Sequence, residues 1–241
     1  MTSSTFPISK KTLDIQDLGI VIAAKNLNPQ VVSLDFLKLS GVIPKDWELA
    51  RKPTASPRAV QLSFQNGVKI VAQPGSITFS ESIRTNNSEE VNAPKVARTC
   101  LEKLPNAEYR STSISPKNVI AFGDIPDGPR KYIVENLLAD GLWRQYGTKP
   151  VQATINLVYQ LEQCQLNLSI NEVRLQQPEK PAFPALMFLG NFNYRVTQYS
   201  ADERLEQLQR RIDNWPDDLQ TFRHLINTRF LGEEETVLPI G

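Results

Sequence analysis

Between residues 58 and 79, apolar side chains occupy every second position. Val60, Leu62 and Phe64 alternate with polar residues, Asn66-Gly67 interrupts, and Val68, Ile70 and Ala72 resume the alternation. Period-two patterning around such a dipeptide predicts a β-hairpin. A two-residue Asn-Gly loop would set Phe64 opposite Lys69 and place the two apolar sets on opposite faces. A shift of one residue sets Phe64 opposite Val68 and Leu62 opposite Ile70, so both sets share a face. The pattern therefore predicts a three-residue loop, Gln65-Asn66-Gly67, with Gly67 left-handed in a bulge. Pro74-Gly75 then turns the chain into a third strand at Ile77-Thr78-Phe79.

Similar punctuation organises the rest of the chain. Leu18–Ala24 is a short apolar run rich in β-branched residues, which predicts a buried strand. Val31–Leu39 forms one or two helical turns stopped by Gly41 and Pro44, and 45–57 is a long ordered loop anchored by Trp47. Asn92 is placed to cap a helix with Pro94 in its first turn and Val96, Cys100, Leu101 and Leu104 on one side, ended by Pro105-Asn106. Ile114–Phe122 is a return strand interrupted at Pro116, and the dense turn 123–129 is where two halves meet.

Arg130–Ala139 follows as a helix with Gly141 as its stop. Val151–Leu161 and Leu166–Leu175 make a long strand pair turning near Gln163-Cys164. A loop over 176–184 holds Pro178, Pro181 and Pro184, and Leu186–Val196 is a further strand. Ser200 and Glu203 form a capping box for a helix with Leu205, Leu208, Ile212 and Trp215 in one stripe. Pro216 breaks it, and Asp217 is placed to cap a second helix carrying Leu219, Phe222, Leu225 and Ile226.

Residues 58–104 and 150–214 thus each give three antiparallel strands and then a helix. Strand runs followed by helices predict an α+β fold: antiparallel sheet or sheets with helices packed on one face, and two βββα-type halves as one option. The expected divisions are a flexible arm at 1–17, an N-terminal α+β half at 18–125, a C-terminal α+β half at 126–232 and a tail at 233–241. The pattern leaves open whether the halves share one sheet.

Composition narrows the function classes. Lys and Arg number 27 against 26 Asp and Glu, so the basic excess of a wholesale nucleic-acid binder is missing. Two cysteines, Cys100 and Cys164, make no disulfide framework and suit a reducing compartment. Leu18–Ala24 is far shorter than the ~20 residues that span a bilayer, and 1–17 lacks the order of a secretory signal. A cytoplasmic protein without membrane contact is expected.

The chemical inventory is small. His224, the one histidine, lies off its helix's apolar stripe, and Cys100 falls on an apolar helix face. Cys164 has no basic sequence neighbour to activate it. No glycine-rich phosphate loop occurs, and zinc would lack ligands, so no cofactor or metal is expected. Asp124 and Asp127 suit a turn better than a cation site. The pairs Glu89-Glu90 and Asp217-Asp218, and the run 233–235, suit helix starts and a solvated tail.

Two loops combine aromatic and basic residues. One carries Trp47, Arg51, Lys52 and Arg58; the other carries Trp143, Arg144, Tyr146 and Lys149. Such sets stack on bases and meet phosphates, or form protein-interface hot spots. Equally, each tryptophan plugs its loop into the core while the charges stay wet. The reading that follows is a non-catalytic protein-interaction or assembly protein, a scaffold or adaptor. It would bind a protein partner or itself as a homo-oligomer, through exposed strand edges and the tryptophan loops. The alternatives are an RNA- or DNA-associated accessory protein using Arg51, Lys52, Arg58, Arg144 and Lys149, and an enzyme with a site built from carboxylate, lysine or tyrosine groups.

Overall fold

A computed structural model describes residues 15–83, 90–104, 107–122, 125, 127–176, 181–197 and 200–232. The protein is α+β, with one nine-stranded antiparallel sheet. In chain order the strands are β1 (Ile15–Lys25), β2 (Thr54–Ser56), β3 (Ala59–Ser63), β4 (Lys69–Gln73), β5 (Ser76–Ile83), β6 (Glu108–Ala121), β7 (Ile155–Gln160), β8 (Gln165–Leu175) and β9 (Phe183–Arg195). The helices are α1 (Leu34–Leu39), α2 (Ala93–Lys103), α3 (Gly128–Lys131), α4 (Ala201–Asp213) and α5 (Trp215–Leu225).

The sheet order is β2-β3-β4-β5-β1-β6-β9-β8-β7, which is nearly symmetric about the central β1–β6 pair. One transverse row makes this concrete: Leu62, Ile70, Phe79 and Ile20 on one side, then Ile114, Phe192, Leu166 and Tyr159 on the other. Each half thus sends an isoleucine to the seam, a phenylalanine beside it and an aliphatic residue beyond. Alternation requires the neighbouring residues to point the other way. Helices α2, α4 and α5 pack on the apolar face, where Leu18, Ile20, Phe79, Ile114, Phe188 and Phe192 are buried in one core with Leu101, Leu208 and Phe222. The halves therefore join along β1 and β6. Of the turn 123–129, residues 123, 124 and 126 lie outside the described residues.

The hairpin has the predicted register. Leu62 pairs with Ile70 and Val60 with Ala72, Phe64 N–H donates to Val68 O at 2.9 Å, and Gly67 has φ +94°. Pro116 lies in mid-sheet and stays in register with Leu18 of β1, whereas pairing with β9 stops at Ile114 and resumes at Lys117. A proline has no N–H for the ladder, so the interruption falls on one side only.

Several expectations need correction. β1 begins at Ile15, inside the stretch taken as an arm, and residues 54–56 of the expected loop form the edge strand β2. Asn92 does not cap α2 with its side chain; Glu81 on β5 accepts from the Asn92 and Ala93 N–H groups at 2.6 and 2.8 Å. Glu81 therefore places negative charge at the positive helix end. Asn214 precedes α5, and Asp217 sits in its first turn. Gly141 is no helix stop: α3 continues in wide turns to Leu137, and Gly141 is extended. Strand β7 begins at Ile155 because residues 152–154 splay away from 172–174, leaving a cleft of about 360 Å³. The capping box at α4 forms in half: Ser200 Oγ accepts from Glu203 N–H, while the Glu203 carboxylate accepts from the Ser200 hydroxyl instead of its amide. Pro105, Asn106 and the tail 233–241 lie outside the described residues.

Candidate interaction surface

The helices α2, α4 and α5 pack on the apolar face of the sheet. The opposite face spans nine strands, about 38 Å at the usual strand spacing. Its central rows are furnished mainly with small hydroxyl and amide side chains, interspersed with Val21, Val71 and Leu189. Toward one end Val119, Ala121, Ala185 and Met187 make it apolar, with Val119 and Ala185 buried. One full row across it reads Thr54, Gln61, Val71, Thr78, Val21, Ser113, Asn193, Gln165 and Gln160. A second row runs Ser82, Asp17, Lys117, Leu189, Ser169 and Asn156. The charges there are few, and Asp17 and Lys117 neutralise each other as an ion pair.

Between those rows Ser80, Gly19 and Ser115 lie side by side on the three central strands. A depression of about 250 Å³ opens here, bordered by Lys69, Asp17, Lys117, Ser82 and Leu189. Asn191 Nδ2 donates to Ser115 Oγ at 3.2 Å, and Ser82 Oγ donates to Asp17 Oδ1 at 2.5 Å. A Cβ built on Gly19 would meet nothing nearer than Ser115 at 3.6 Å, so packing does not demand glycine. Its missing side chain does deepen the depression. A glycine inside a strand often marks close approach by another molecule.

The two aromatic–basic loops do not form one surface of free side chains. Trp47 is half-buried and meets Phe64 edge-on, with ring centroids 5.2 Å apart. Arg51 Nε donates to Ser63 Oγ, while Lys52 and Arg58 are exposed beside β2. Arg144 turns inward: its Nη2 donates to the carbonyls of Val134 and Leu138, and it pairs with Asp140. Its guanidinium lies 5.2 Å from the centre of the Trp143 ring. Tyr146, 90% exposed, and Lys149 face solvent, and Trp143 is 41% exposed.

A polar cluster around the buried Asp218 links the turn between β7 and β8 with β9, α4 and α5. Tyr194 Oη donates to Asp218 Oδ1 at 2.6 Å, and Arg211 stacks over the Tyr194 ring at 5.0 Å while also donating to Gln163. Burial pushes Asp218 up to about 6, against the opposing Tyr194 hydrogen bond. Burial, joined by the nearby Asp218 charge, holds the half-buried Cys164 thiol above its ordinary value despite Tyr194 and Arg211. Burial pushes Cys100 to about 12. Both thiols therefore rest protonated at neutral pH, in the inert regime. His224 is on the surface, and the described residues contain no cluster of three or more potential metal ligands.

Sequence reasoning passed over both the open face and this cluster. The open face does leave a signal, since Gly19, Val21, Ser113, Ser115, Thr78 and Ser80 are the alternating partners of core residues. The cluster leaves none, because Cys164, Tyr194, Arg211 and Asp218 converge only through the fold. Compared with known proteins, the chain matches no family model and no curated sequence. Among the described residues no helix is long and apolar enough to cross a membrane.

Proposed function

We propose that the protein is a non-catalytic interaction or assembly module that docks a protein partner on the face of its sheet opposite α2, α4 and α5. The observation carrying this reading is the composition of that face, where the rows beside the Gly19 depression are mostly neutral hydroxyl, amide and small apolar side chains, and Asp17 and Lys117 at its border are paired with each other. Charged residues are depleted from the centres of protein interfaces, where their desolvation is costly. A nucleic-acid surface needs the reverse, a basic field. The two free, protonated cysteines support a reducing, cytoplasmic setting. Trp143, Tyr146 and Lys149 are available as a second contact.

The test is site-specific photocrosslinking in the native host, with the probe at Ser80 or Asn193 on the open face and at Lys103 on α2 as control. A discrete protein adduct from the first two positions and none from Lys103 is expected. Adducts from Lys103 alone, or from none of the three, would refute the reading, as would salt-sensitive RNA capture at Ser80.

A further inference from the structure

The two edges of the sheet are unlike. β2 is a three-residue strand set between Pro53 and Pro57, a blunted edge that offers little backbone for pairing. β7, at the opposite edge, has the sequence Ile-Asn-Leu-Val-Tyr-Gln. From Val151 to Leu161 there is neither a charge nor a proline. None of the usual guards against edge pairing is present on it.

Its free backbone groups can be assigned. Leu161 N–H donates to Cys164 O at 2.9 Å, which makes that pair a hydrogen-bonded one. Hydrogen-bonded and non-bonded pairs alternate along an antiparallel ladder. With Gln160 opposite Gln165, Val158 opposite Asn167 and Asn156 opposite Ser169, those three β7 residues are the non-bonded set. Their N–H and C=O groups point to the open edge. The side chains fit the same picture: Val158 is 60% exposed, and on the other face Ile155, Leu157 and Tyr159 are only half-buried against the core.

We infer that β7 pairs antiparallel with β7 of a second copy of this chain, about a two-fold axis at Val158. In that register Val158 faces its own counterpart, and Asn156 and Gln160 of each copy face Gln160 and Asn156 of the other, each pair exchanging both backbone bonds. On the helix side Leu157 then meets Tyr159 and Ile155 meets Leu161, so the half-covered apolar rows close over each other. The pairing is self-complementary, as a two-fold interface requires, and an uncharged edge meets no like charge in its copy. The blunted β2 edge ends the assembly at a dimer. This contact runs along the β7 edge, where Asn156, Val158 and Gln160 border the open face, and it stands whether or not that face binds a partner.

The experiment is light scattering and sedimentation over a concentration series of the full chain, with Val158→Lys and Ala55→Lys. Wild type should be a dimer. Val158→Lys sets like charges face to face at the axis and should raise the dimer dissociation constant roughly tenfold or more. Ala55→Lys, on β2, should leave it unchanged. A wild-type monomer, a dimer indifferent to Val158→Lys, or a dimer broken by Ala55→Lys would overturn the inference. Hydrogen exchange on wild type gives an answer without mutation: the amides of Asn156, Val158 and Gln160 should be protected as concentration rises. Equal exchange at all concentrations across the monomer–dimer range would also overturn it.

Discussion

Asp218 brings an ionisable group into the core, and its carboxyl is pushed up to about 6 from an ordinary 3.8. The folded state thus holds this proton more tightly than the unfolded chain. Stability contributed by Asp218 falls as pH climbs from about 4 to about 6, and stays at the lower level above that window. Asp218→Asn keeps an oxygen for Tyr194 and removes the titration. The stability of the variant relative to wild type should rise by on the order of 3 kcal/mol between pH 4 and pH 7, measured by denaturant unfolding. An unchanged difference across that window would show that Asp218 is not a buried acid. At the other extreme of legibility is Gly67. Its positive φ followed from the requirement that Val60, Leu62 and Phe64 share a face with Val68, Ile70 and Ala72. Nothing lies within 4 Å of a Cβ there, so Gly67→Val should cost about 1–3 kcal/mol through backbone strain alone. Gly67→Asn should cost less, since asparagine tolerates the left-handed region.

At the scale of elements, strands were readable because alternation survives in a single sequence, while their ends were set by neighbours. β7 loses residues 151–154 where the chain parts from β8, and β6 extends back to Glu108 because β1 is there to pair with it. Helix α2 shows the same division. Its apolar stripe was visible in Val96, Cys100 and Leu101, but its cap comes from Glu81, on a strand before the helix. Glu81→Ala should destabilise the protein by about 1–2 kcal/mol. Asn92→Ala should cost less, because the main-chain N–H that Glu81 receives remains. Thermal unfolding of the two variants decides between these caps.

For the whole molecule, the seam between the halves is itself a core element. Ile20 and Ile114 pair across it with full burial, and β1 pairs over a longer stretch with β6 than with β5. Unfolding should therefore be a single transition, with near- and far-ultraviolet circular dichroism coinciding. Two separated transitions would mean that each half carries its own stability. Strand-then-helix order made the fold class legible, yet no local pattern says that two such runs share one sheet, because that depends on β1 and β6 meeting across a long interval of chain.

Gly19 sits where two kinds of fitness diverge. Alanine at that position finds room in the central strand and lowers the entropy lost on folding, so Gly19→Ala should raise the melting temperature, in keeping with a gain of about 0.5–1 kcal/mol. The added methyl would also fill the hollow between Ser80 and Ser115. A sequence optimised for endurance alone would choose alanine there. The glycine leaves that gain unused, and a sturdier variant with blunted recognition is the outcome to look for.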